Sequence, residues 1–156
     1  MIKTRKQYEE ARKMLAKHNR DYAVFLMIPV TASTEFFWHG HKAGMEYVIA
    51  MLGKEIREFE DLTSGQSSLP PLENWTLDPE LLIKWRLHKQ WSQKELADEL
   101  GVSFDEMARF ERDNFEDCPL ELKLRIKDIL ENEKPNFAYD ELNDATIFLR
   151  PNRQIA

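Results

Sequence analysis

Cysteine is nearly absent from this chain of 156 residues, and the one present, Cys118, rules out an intramolecular disulfide framework and a Cys-rich zinc site. Long apolar runs are missing too. The longest, Tyr22 to Val30, falls far short of the roughly 18 residues a membrane-crossing helix needs. The opening residues Met1 to Lys6 are basic, but charged residues follow where a signal peptide would place its apolar core. These absences lead us to expect a cytoplasmic protein in a reducing compartment, with no membrane partner. No Gly-rich phosphate loop, metal-ligand spacing or nucleophile-base pair stands out, so neither an enzyme nor a cofactor is expected.

Charge is plentiful. Charged residues make up 32% of the chain and apolar residues 42%, a balance that suits a folded globular protein. The formal net charge of −6 is unevenly spread. Residues 1–77 carry 10 Lys and Arg against 10 Asp and Glu, whereas residues 78–134 carry 10 against 15.

The pattern along most of the chain is helical. Thr4 with Gln7 three residues on forms a capping-box spacing, and Tyr8, Ala11, Met14 and Leu15 then share one face, which predicts a helix over about 4–19. The apolar run Ala23 to Val30 carries no period that assigns it to helix or strand. From about 42 to 62, Met45, Val48, Leu52, Ile56 and Phe59 fall in alternating steps of three and four, as a single buried stripe requires. Such a stripe serves core packing or a helix-helix interface, including pairing of two copies. The Ser, Gly and Pro-rich stretch Thr63 to Pro71 predicts a linker.

Beyond it, Asp78 before Pro79 and Glu80 marks a helix start, and four helices are expected in quick succession, at about 79–89, 92–99, 103–112 and 119–131. The resulting fold class is all-α. Residues 1–62 form an N-terminal helical arm for dimerisation or partner binding, 63–77 a linker, 78–134 a compact helical domain and 135–156 a C-terminal tail.

The stretch SQKELADELGVS is the most informative. Ser92 with Glu95 and Ser103 with Glu106 are two capping boxes, each opening a helix. Gly101 supplies the left-handed residue that ends the first helix and starts the turn. Leu96, Ala97, Leu100, Val102, Met107 and Phe110 provide a shared core, with Ala97 small where two helices cross closely.

Arg86, Trp91-Ser92-Gln93, Glu95-Leu96-Ala97, Gly101-Val102-Ser103 and Phe110-Glu111 resemble the lambda-repressor/Cro (XRE) helix-turn-helix family over about a third of the chain. The flanking DNFEDCPLELKLRI and the N-terminal IKTRKQYEEARK resemble, more loosely, the HigA-type antitoxins. The resemblance implies a lambda-repressor-like helix-turn-helix domain in a DNA-binding transcriptional regulator. It further implies an autoregulatory role as the antitoxin of a type II toxin-antitoxin pair, with a double-stranded operator, a toxin and a second copy of the chain as partners. Two recognition helices would then meet two half-sites about one helical turn of DNA apart.

Carried over residue by residue, the resemblance places Ser92 and Gln93 at the start of the second helix, where the family contacts phosphates and braces the recognition helix. It makes Ser103 to Arg112 the recognition helix, with Phe104, Asp105 and Arg109 at base-reading positions and Ser103 and Arg112 suited to phosphates or groove edges. Arg86 and Glu111 match a structural ion pair. Arg109 suits a guanine and Phe104 a thymine methyl, while Asp105 accepts only from cytosine and repels phosphate. Glu106 is a cap by its spacing.

The acidic domain and Asp105 also suit a second reading, a protein-interaction module on the same scaffold with little DNA affinity. The cluster Trp38-His39-Gly40-His41 is not a metal motif, because residues two apart do not share a helix face. Trp85, Trp91 and Cys118 are expected in the core, with Trp75 tethering the linker.

Overall fold

The polypeptide starts its first helix where Thr4 turns its side-chain oxygen onto the backbone N–H of Gln7, 3.2 Å away. In the computed structural model, residues 1–65 and 67–132 are described, and among them six α-helices occur and no strand. The chain is all-α. The helices are α1 (Arg5–Phe25), α2 (Glu35–Thr63), α3 (Glu80–His88), α4 (Gln93–Leu100), α5 (Phe104–Arg112) and α6 (Leu120–Asn132), with a 3-10 turn at Leu72–Thr76. None of them is long and apolar enough to cross a membrane. The expected tail, 135–156, lies outside the described residues.

Both long helices exceed their predicted spans, and the unassigned apolar run explains the first extension. Ala23 to Phe25 complete α1, after which Leu26 to Ile28 turn the chain ahead of Pro29. Proline disfavours helical backbone in the residue before it, so the helix has to stop there. Helix α2 begins at Glu35, seven residues early, because Thr31 and Thr34 build its entry. The Thr31 N–H donates to Thr34 Oγ1 at 3.1 Å, and the Glu35 N–H donates to the Thr31 carbonyl at 2.9 Å. Periodicity missed this segment, since Phe36, Phe37 and Trp38 are consecutive and mask the stripe.

α1 and α2 run antiparallel as a hairpin. The stripe expected on α2 faces α1, and it is most fully buried at the base, where Ile56 and Phe59 lie in the interior and Tyr8 stacks on Phe59 at 5.0 Å. Toward the tip the seam is only half-buried, although Phe25 stacks on Trp38 and Tyr22 donates to Glu46. Two helices alone cannot surround their shared stripe.

At the base the hairpin enters a single core with the later helices. Tyr8, Ala11, Ile56, Phe59 and Leu62 share it with Leu82, Ile83 and Leu87 of α3, Leu96 and Ala97 of α4, Met107 and Phe110 of α5, and Ile126 and Leu130 of α6. The stretch read as a linker takes part as well. Leu72 and Trp75 are buried, and Trp85 donates its indole N–H to the Pro70 carbonyl at 3.0 Å. Leu72 and Trp75 therefore anchor the second part of this stretch to the core, while Ser64, Gly65, Ser68, Pro70 and Pro71 stay exposed. Proline and serine signalled irregular backbone correctly, but irregular backbone can still carry buried apolar side chains.

The four later helices lie within one or two residues of their expected bounds, and local chemistry explains why. Asp78 accepts from the Glu80 N–H at 3.2 Å, and both capping boxes close in both directions. Gly101 ends α4 at φ +71° with no atom within 4 Å of where a Cβ would stand. Its role is conformational only, so Gly101→Ala should cost about 1–2 kcal/mol through left-handed backbone strain. Urea denaturation should show that loss with the m-value unchanged.

Candidate nucleic-acid interface

Helix α5 divides its residues cleanly between two faces. Met107, Phe110 and Glu111 are buried, whereas Phe104, Asp105, Arg109 and Arg112 are exposed on the opposite side. Steps of one, four and three along a 3.6-residue helix place those four on one outward surface. Five of the seven residues expected to meet DNA therefore sit together at the start and along the outer face of α5, counting exposed Ser103 at its N-cap.

Ser92 and Gln93 do not join them. Their exposures are 2% and 5%, and their side chains are committed inward. Ser92 accepts from the Glu95 N–H at 3.0 Å as the cap of α4. Gln93 donates its amide to Glu111 Oε2 at 2.8 Å. Of the two roles expected there, Gln93 takes the bracing one: it holds Glu111 of α5, because a buried carboxylate needs further donors once its salt-bridge partner is placed, and neither side chain is turned out toward a phosphate.

The expected ion pair is present, fully buried, and wider than a pair. Arg86 engages Glu111 through both Nε and Nη2, the latter 2.8 Å from Oε2. Its remaining N–H groups reach the Trp91 carbonyl at 2.7 Å and the Lys3 carbonyl at 2.8 Å. One guanidinium thus ties α3, the loop into α4, α5 and the N-terminal segment. Ile2 is buried alongside, and the Lys3 ammonium donates to the Glu111 carbonyl and, at 3.0 Å, to Asn114 Oδ1. A cation on the last carbonyls of α5 also complements the negative end of its dipole. Burial lowers the Lys3 pKa from its ordinary value, with Glu111 opposing the shift. Nothing in the sequence pattern pointed to Ile2 and Lys3, since an extended segment before a helix cap carries no period.

The exposed face of α5 is chemically mixed. Arg109 lies with its guanidinium 5.3 Å from the Phe110 ring centroid, and Arg112 reaches Asp113 at 3.2 Å while staying largely exposed. Asp105 stands in the first turn, where a carboxylate favours the helix dipole. The Ser103 hydroxyl donates to Glu106 at 2.8 Å and accepts from the Glu106 N–H at 3.2 Å, so its proton is already used.

The tip histidines are separately engaged: His39 sits 3.9 Å from Glu35, and His41 packs on Phe25. Among the described residues, no group of three or more potential metal ligands comes together. Trp91 and Cys118 are buried as expected. Compared with protein-family models, with curated proteins and with solved structures, the chain matches none.

Two outcomes follow from this geometry. Glu111→Ala, which leaves Arg86 buried without its carboxylate, should cost about 3–5 kcal/mol in urea denaturation, whereas replacing both partners with Met and Leu should recover most of it. The hydrogen bonds from Ser103 lower the Glu106 pKa, so the cap's contribution is present above the unfolded value and lost as pH falls through the folded one. Carboxyl-carbon NMR should find Glu106 titrating below an ordinary glutamate, and Ser103→Ala should move it upward.

Proposed function

We propose that α4, the Gly101 turn and α5 act as a helix-turn-helix, and that the protein is a DNA-binding transcriptional regulator with α5 as its recognition helix. The observation that carries this is the single outward face of α5. It presents Phe104, Asp105, Arg109 and Arg112 to solvent, while the opposite face is locked by Met107, Phe110 and the Arg86–Glu111 network. A recognition helix needs this combination of an open face and a rigid seat.

In the major groove, Arg109 would donate two hydrogen bonds to guanine O6 and N7, Phe104 would lie on a thymine methyl, and Asp105 would accept from cytosine N4. Arg112 would meet a phosphate. With the side chains of Ser92 and Gln93 turned inward, these two positions leave their backbone to approach the phosphates there. Two copies would read two half-sites. Autoregulation as a toxin's antitoxin is consistent with the acidic surface, which suits a basic protein partner.

The net charge of −5 over residues 78–134 and the position of Asp105 favour a second reading, a protein-interaction module on this scaffold. Titration of a duplex from the gene's own upstream region at two salt concentrations distinguishes them. A regulator gives a specific complex that weakens with salt, and the absence of one leaves the interaction module. In the first case Arg109→Ala should weaken specific binding by about 1–3 kcal/mol, roughly 5- to 150-fold, and relax preference at one base pair. An equal loss on all sequences would make Arg109 a phosphate contact.

A further inference from the structure

The distal half of the hairpin exposes an apolar helix face that none of the described residues covers. On α2, Phe36, Tyr47 and Met51 are 85%, 66% and 46% exposed. Gly40 and Gly44 complete the same face, in steps of four, four, three and four. It is distinct from the stripe of Met45, Leu52 and Phe59 that meets α1. A Cβ at either glycine would meet nothing within 4 Å, so the fold of one chain does not require them. Glycine inside a helix nevertheless weakens it, and here two occur one turn apart between large exposed apolar side chains.

We infer that this face of α2 packs antiparallel against the same face of a second copy, joining two hairpins into a four-helix bundle. The sequence is self-complementary about a two-fold axis between Ala43 and Gly44. Each residue then faces the one equally far beyond the axis, so Tyr47 seats over the partner's Gly40 and Phe36 meets the partner's Met51. Both contacts, one large-on-small and one between large side chains, repeat by symmetry, as an isologous interface demands. Glycine at the crossing lets the backbones approach closely, and the second hairpin covers the seam that two helices leave half-open.

The dimer extends the DNA-binding proposal by stating where two copies meet, and it stands without DNA. Sedimentation equilibrium of the full chain, free of DNA, tests it together with Gly40→Leu. That variant fills the seat of Tyr47 but improves helix propensity, so misfolding does not confound it. The wild type should be a dimer. Gly40→Leu should weaken self-association by about tenfold or more while the circular-dichroism helix signal is kept or raised.

In a Cys118→Ser background, Phe36→Cys with Met51→Cys should be linked between chains by a short bis-maleimide. Within one chain those positions lie about 22 Å apart along the helix, beyond its reach. A monomeric wild type, a dimer indifferent to Gly40→Leu, or a monomer that sediments with phosphatidylglycerol vesicles would each overturn the inference. Loss of operator binding by an intact dimer would instead count against the DNA-binding proposal alone.

Discussion

The Arg86–Glu111 contact is the constraint on which the rest of the compact region depends. Burying a guanidinium and a carboxylate together is costly unless nearly every donor and acceptor finds a partner. Here Arg86 reaches Glu111, Trp91 and Lys3, and Glu111 also receives Gln93. Those partners come from four separate segments, so the pair is satisfied only when α3, α4, α5 and the N-terminal residues are all in place. An apolar pair of the same volume would fill the space without demanding that one arrangement.

The consequence for function is orientation. Glu111 sits near the end of α5, two residues past Arg109 and one before Arg112. Holding its carboxylate with three hydrogen bonds from Arg86 and Gln93 fixes the rotation of α5 about its axis, and with it the direction in which Phe104, Asp105, Arg109 and Arg112 point. The Ser103–Glu106 capping box fixes the other end, and Gly101 sets the angle between α4 and α5. Lys3 adds a tether from the far end of the chain, so the hairpin and the α5 surface are mechanically joined at the hairpin's base.

Much of the compact region was legible in the sequence, because its signals are local. Caps, a turn glycine and short helical periods each act within a few residues, and they placed α3 to α6 closely. Arg86 with Glu111 was recognisable from the resemblance to a known motif. What the sequence did not reveal depends on contacts far apart in the chain. That Gln93 would brace the recognition helix came with the resemblance, but its partner Glu111 lies 18 residues away and no local pattern names it. Trp75 was expected to tether its stretch, whereas the burial of Leu72 beside it carries no local signal. The early start of α2 was hidden because Phe36, Phe37 and Trp38 are consecutive and apolar on every face, so no period emerges. At the candidate site, the outer face of α5 and a bracing role for Gln93 were anticipated, and the burial of the Ser92 side chain was not.

If α5 is a rigidly seated recognition helix, its outer face carries the contact with DNA. Amide and side-chain chemical-shift mapping during titration with the upstream duplex tests this. Shifts should concentrate at Phe104, Asp105, Arg109 and Arg112, with the Gln93 side-chain amide signals unmoved because Glu111 holds them. Shifts centred on the hairpin, or a Gln93 amide that moves as strongly as Arg109, would contradict it.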